Sequence, residues 1–243
     1  MFYSSTTEFI ITPLANILAT ANESMMAIED GMQNYPVADW VMPTVFLRMT
    51  GAQEQKLKCI YWVLGSMDLE RRFHRILEKM GDMSCYDEKR DLCTDLVSFL
   101  VRNKPGYDPE TDIDRGKLLS DAIEDVKKAC DGTLMQIWYA DYYQDFEEIT
   151  RNMNAADILE WNEKDCKCKD LLKGEMRKAF DAMYYHRNRC AHNTTSFQRN
   201  LPKFEALSGK TAVYENYFIR FFVLILLDRL FVMLYKEAGE TIV

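Results

Sequence analysis

The chain is expected to be all-α, and three observations point there. Gly and Pro number only 10 and 6 in 243 residues, too few for the many turns of an all-β chain. Leu, Met, Ala, Glu, Lys and Arg, which favour helices, are plentiful. Apolar residues recur at helical spacing over long stretches. With 48% apolar and 28% charged residues, global disorder is ruled out. The length fits one domain over 1–243, able to bury its core without metal or cross-links.

Phe9, Ile10, Leu14, Ile17, Leu18, Ala21, Met25 and Ile28 predict an amphipathic helix over roughly 7–31. Pro36 and Pro43 mark a break, with a short helix between or after them. Thr50-Gly-Ala-Gln53 reads as a capping box opening a helix from about 51 to 80, closed by Gly81. Ser84 opens another, to about Asn103, and 103–116 is a loop carrying Pro105, Gly106 and Pro109. Helices are expected over about 115–131 and 134–153, with a second break over 152–162. A long helix follows over about 165–192, then a polar loop over 193–209. The last helix, about 211–237, is apolar nearly all round and belongs in the middle of a bundle. The stretch 82–163 reads either as a helical insertion or as part of the same bundle. Its 108–163 portion holds 15 acidic and 5 basic residues.

The longest apolar run, Phe221 to Leu227, is bracketed by Arg220, Asp228 and Arg229, far short of the ~20 residues that span a bilayer. The first basic residue is Arg48, so neither a secretory signal nor a transit peptide is expected. Seven cysteines without a regular framework fit reduced thiols. A cytoplasmic protein with no membrane contact is the expectation. The net charge is −8, yet the window Lys164–Lys210 holds 11 basic and 5 acidic residues. A basic segment on an acidic body can focus a polyanion on one place, although a solvated helix face has the same composition.

The segment Tyr185-His186-Arg187-Asn188-Arg189-Cys190-Ala191-His192-Asn193 closes the 165–192 helix. The apolar stripe of that helix runs Leu172, Met176, Ala179, Met183, and Arg187 takes the next place on it. A guanidinium at a core-facing position needs a carboxylate, a partner chain or an anionic ligand. His192 lies one turn after Asn188, whose side chain can reach it and fix the imidazole tautomer.

This spacing resembles the Arg-x4-6-His motif of the HEPN superfamily, many of whose members are metal-independent ribonucleases. Asn188 after the arginine and Ala191 before the histidine also match the family's preferences. The likeness covers roughly 7–81 and 164–237. It implies an all-α HEPN-like bundle, with the acidic middle as elaboration, and an RNA endonuclease of the bacterial toxin or phage-defence type. Attack by the RNA 2′-hydroxyl would leave a 2′,3′-cyclic phosphate and a 5′-hydroxyl. His192 would move protons and Arg187 would bind the phosphate, beside Asn188. His186, Arg189, Asn193, Arg199 and Lys203 would contact RNA. No metal or other cofactor is implied. A homodimer sharing one cleft would bring two copies of each group together, and an inhibitory antitoxin or other protein partner would restrain such a toxin.

The rival is a non-catalytic HEPN-like module that binds RNA or protein. A purely structural role would have Arg187 pair with a carboxylate of its own chain. Cys166-x-Cys168 lacks a second ligand pair at zinc spacing, and His74 reads as a solvated face. No Gly-rich phosphate loop, Gly-x-Ser-x-Gly elbow or His-Glu-x-x-His motif is present.

Overall fold

The computed structural model describes residues 5–26, 28, 35–67, 83–192 and 215–241. The chain is mostly helical: α1 (Ser5–Ile11), α2 (Ala15–Met25), α3 (Tyr35–Met67), α4 (Tyr86–Asn103), α5 (Pro109–Asp112), α6 (Arg115–Cys130), α7 (Leu134–Trp138), α8 (Ala140–Arg151), α9 (Gly174–His192) and α10 (Tyr217–Glu240). Among the described residues the one sheet is an antiparallel hairpin of β1 (Ile158–Asn162) and β2 (Lys167–Leu172), placed directly before α9.

The apolar C-terminal helix sits in the middle, as its sequence predicts. Every residue from Phe218 to Asp228 is buried, and α10 packs against α3, α4, α6, α8 and α9. The apolar faces of α4 and α6, from the 82–163 stretch, join this same core. The three charges bracketing the apolar run all find counter-charges. Arg220 pairs with Glu215, Asp228 with Lys56 at 2.8 Å, and Arg229 with Asp121 and Asp125 at 2.9 and 2.7 Å. Arg229 thereby ties the acidic middle of the chain to the central helix.

Four predicted elements need correction. The helix expected over 7–31 is two, because Pro13 has no N–H to continue the ladder. Conversely, α3 runs through Pro43. Pro36 sits in its first turn, where proline is tolerated. The cost of Pro43 is offset by the burial of Met42, Val45, Phe46 and Met49. Thr50 and Gln53 are consequently mid-helix. The Gln53 amide donates to the Leu224 carbonyl of α10 at 2.8 Å, so it ties two helices together instead of capping one.

The helix expected from 165 begins only at Gly174, and Leu172 belongs to β2. The Tyr86 hydroxyl fixes the strand end, accepting from the backbone N–H groups of Leu171 and Leu172, each at 2.9 Å. Gly174 has φ +55°, and a Cβ there would lie 2.9 Å from the Asp157 carboxylate, so a side chain is excluded where strand turns into helix. The helix expected over 134–153 is likewise split at Tyr139 into α7 and α8.

Candidate functional site

The last turns of α9 carry the motif. Met176, Ala179 and Met183 are buried, as their periodicity predicts, and this stripe turns the Arg187 side chain toward α3. Its Nη2 donates to both oxygens of Glu54, at 2.9 and 3.2 Å. Its Nη1 donates to Oδ1 of Asn188 at 3.1 Å. The Arg187 and Glu54 side chains are 23% and 15% exposed, so the pair is partly shielded from water and oriented from two sides.

Lys89 completes this flank. It is buried, donates to the Met83 carbonyl, and lines one crevice with Glu54 and Arg187. Burial pulls its ammonium down to about 8, against the charge of Glu54, which pushes it up. The crevice holds only about 10 Å3, room for at most one water.

The other flank of α9 is built differently. The Arg189 Nη2 reaches both Glu215 oxygens, at 3.2 and 3.0 Å, and also lies 3.2 Å from the His186 Nδ1. Arginine only donates, so Nδ1 accepts and His186 carries its proton on Nε2. That nitrogen lies 2.9 Å from the Tyr217 hydroxyl. Burial, with the charges of Arg220 and Arg189, holds the imidazole down to about 3, leaving it neutral. His186, expected to contact RNA, is turned inward against Phe46 and Tyr217. Cys190 lies 3.4 Å from its Nε2, and burial raises that thiol.

Of the expected site residues, Arg187 and Asn188 are thus brought together on one flank of α9, and Arg189 and His186 on the other. His192 is the last residue of α9, and its side chain lies outside the described residues. So do Asn193, Arg199, Lys203 and His74. Within the described part of the basic window many charges are paired on the chain itself: Lys169 and Lys173 with Glu160, Arg177 with Asp181, and Lys178 with Glu175. No group of metal-ligating side chains occurs among the described residues, and no described helix is long and apolar enough to cross a membrane.

Sequence reasoning missed Glu54, Lys89 and Glu215. Glu54 had a signal: it is the one acid between Trp40 and Met67, and Arg187 was in want of a carboxylate. Lys89 had none, since it lies on another helix and only the packing brings it here. Compared with known proteins, the chain matches no family model, no curated protein and no solved structure.

Proposed function

We propose that the chain is a metal-independent RNA endonuclease of the HEPN-like type, acting in the cytoplasm as a bacterial toxin or phage-defence effector. One observation carries this: a partly shielded guanidinium, oriented by Glu54 and Asn188 at the end of a helix, with a histidine five residues on. RNA supplies its own nucleophile, so the protein must provide a base for the 2′-hydroxyl, an acid for the 5′-oxygen and a cation for the phosphorane. His192 supplies the proton transfers, worth roughly 10²–10⁴-fold. Arg187 offers its remaining donors to the phosphate. Asn188 holds Arg187, while Arg189, Asn193, Arg199 and Lys203 contact the strand. Two motifs facing each other in a homodimer give one cleft two histidines and two arginines, and an inhibitory partner restrains it.

The test is incubation of the purified protein with total RNA in excess EDTA, with mapping of fragment ends. Cyclic phosphate and 5′-hydroxyl ends, lost in His192→Ala, are expected. Activity abolished by EDTA and restored by Mg²⁺ would overturn the mechanism. Arg187→Ala and His192→Ala, each severely impaired alone, should regain part of the activity on subunit exchange if the cleft is shared.

A second reading has an observation of its own. Arg187 already holds a carboxylate of its own chain, with almost no space beside the pair, as a structural arginine would. A non-catalytic module binding RNA or protein would then keep its dimer, cleave nothing and arrest no growth on expression.

A further inference from the structure

We propose that a recess on the Arg189 flank of α9 is a nucleobase subsite for the RNA strand, an inference that rests on the ribonuclease reading above. The recess encloses about 280 Å3, with Tyr139, Tyr142, Tyr217, Phe218, Pro43 and Glu215 in its walls. That is room for one heterocycle with part of its sugar, at the small end of ligand sites. Bases of any sequence stack on aromatic faces.

The wall is built rather than incidental. The Asn216 amide donates to the Tyr142 carbonyl at 2.5 Å, while its Oδ1 accepts from the Phe218 N–H at 2.9 Å and caps α10. Tyr142 is therefore pinned to the start of the central helix; the residue is 49% exposed and its ring lies 6.2 Å from that of Tyr139.

Charge selects the kind of occupant. Glu215 is one carboxylate serving two guanidiniums, Arg189 and Arg220, and His186 beside them is neutral. Arg220 is 1% exposed and its Nε has no acceptor among the described residues. Its guanidinium carbon lies 4.8 Å from the centre of the Tyr217 ring, which lines the recess. Among the described residues this excess of positive charge disfavours a cationic ligand at an aromatic site that would otherwise suit one. It attracts a neutral ring borne by a polyanion.

The recess is also placed for the proposed chemistry. At 100° per residue Arg187 and Arg189 leave α9 about 200° apart, on either side of its C-terminal end. A strand crossing the end of α9 would set a phosphate near Arg187, pass the His192 position and lay a neighbouring base in the recess. Tyr217, whose hydroxyl meets His186, and Glu215, which holds Arg189, connect the recess to the motif.

The test uses two fluorescent strands of equal length, a 2′-O-methyl oligonucleotide, which lacks the nucleophile, and a fully abasic backbone. Both are titrated with the full chain by anisotropy at fixed salt. Wild type should bind the base-bearing strand more tightly. Tyr142→Ala should weaken that binding roughly 5- to 100-fold, the range expected for one stacked base, and leave the abasic affinity unchanged. Tyr142→Phe, which keeps the ring, should behave as wild type. If the base-bearing strand binds but Tyr142→Ala leaves its affinity intact, or weakens both strands equally, the subsite is wrong while RNA binding stands. If neither strand binds, the ribonuclease reading fails and takes the subsite with it. Equal affinity of wild type for both strands also overturns the subsite. The aromatic surface would then be left for a protein partner, along with the nearby Trp40 and Ile137, which are 79% and 53% exposed.

Discussion

Two buried charge clusters on the central helix, eight residues and about 12 Å apart, are opposites. Around Asp228 charge and donors are matched, although a recess of about 500 Å3 opens beside it too. Its two oxygens take the Lys56 ammonium at 2.8 Å and the Leu14 N–H at 2.9 Å, and Lys56 also donates to the Thr12 carbonyl. One negative charge meets one positive charge, and both side chains are nearly fully buried. Around Arg220, among the described residues, two guanidiniums share one carboxylate and one donor has no acceptor, and the shared carboxylate, Glu215, lines a recess. A neutral, fully bonded pair holds helices in place. An unbalanced cluster beside open space is the place to look for an anionic ligand. The Arg187–Glu54 pair is partly open, and with Lys89 in the same crevice two cations face one carboxylate there as well.

The largest effect should come from breaking the matched cluster. Asp228→Ala strands the Lys56 ammonium, and Lys56→Met strands the carboxylate. Each should cost about 3–5 kcal/mol in urea unfolding, as for other broken buried pairs. The double variant Lys56→Met/Asp228→Leu should recover most of that loss, since an apolar pair needs no compensation. If both single variants unfold at the wild-type midpoint, the cluster is not holding α3 to α10.

Next in size is Arg187→Ala, expected to reduce RNA cleavage about 10²–10³-fold, the effect of removing one donor to a charged transition state. Its unfolding midpoint should fall less than that of the Asp228 variants, because Glu54 keeps some access to water. Arg187→Lys should restore little, since an ammonium cannot hold Glu54, Asn188 and a phosphate together. A midpoint shift matching that of Asp228→Ala, with cleavage unaltered, would place Arg187 with the architectural pairs.

This contrast was only half legible in the sequence. Periodicity found the central helix and the buried stripe of α9, because burial of one face writes itself at 3.6-residue spacing. It also flagged Arg187 as a charge on an apolar stripe. It misread Thr50 and Gln53 as a cap, because a polar side chain bonding across to Leu224 looks the same in sequence as one bonding locally. Pro43 looked like a break because its cost is local while its compensation, the burial of Phe46 and Met49, is tertiary. Of the β1–β2 hairpin, β1 falls in the expected break over 152–162 and β2 inside the expected helix: a six-residue strand is too short to contradict the pattern of α9. Glu54 and Lys89 come from α3 and α4 and Glu215 from just before α10, and nothing local marks an acid or an amine for a partner more than thirty residues away. Glu215 lies only 26 residues from Arg189, but beyond the end of the helix that carries it.

The smallest effect isolates the unbalanced cluster itself. The imidazole of His186 stays neutral down to about pH 3 in the fold, against an ordinary value near 6.5. Between those limits the unfolded chain takes up a proton that the folded chain refuses. The contribution of His186 to stability is therefore complete above about pH 6.5 and is lost as the pH falls toward 3. At pH 5 the loss should reach about 2 kcal/mol at most, at 1.36 kcal/mol per unit. His186→Gln keeps a donor for Tyr217 and an acceptor for Arg189 but cannot titrate. The stability difference between wild type and His186→Gln should therefore shift in favour of the variant between pH 7 and pH 5, and a constant difference would show that the imidazole is not held neutral. Arg220→Met then tests the cause. Burial is the larger influence on His186 and the Arg220 charge the next, so removing that guanidinium should raise the imidazole's titration, read by NMR of the His186 ring, while Glu215 and Arg189 are left as a balanced pair. An unmoved titration would mean that burial alone sets it and that the positive excess does not reach the motif helix.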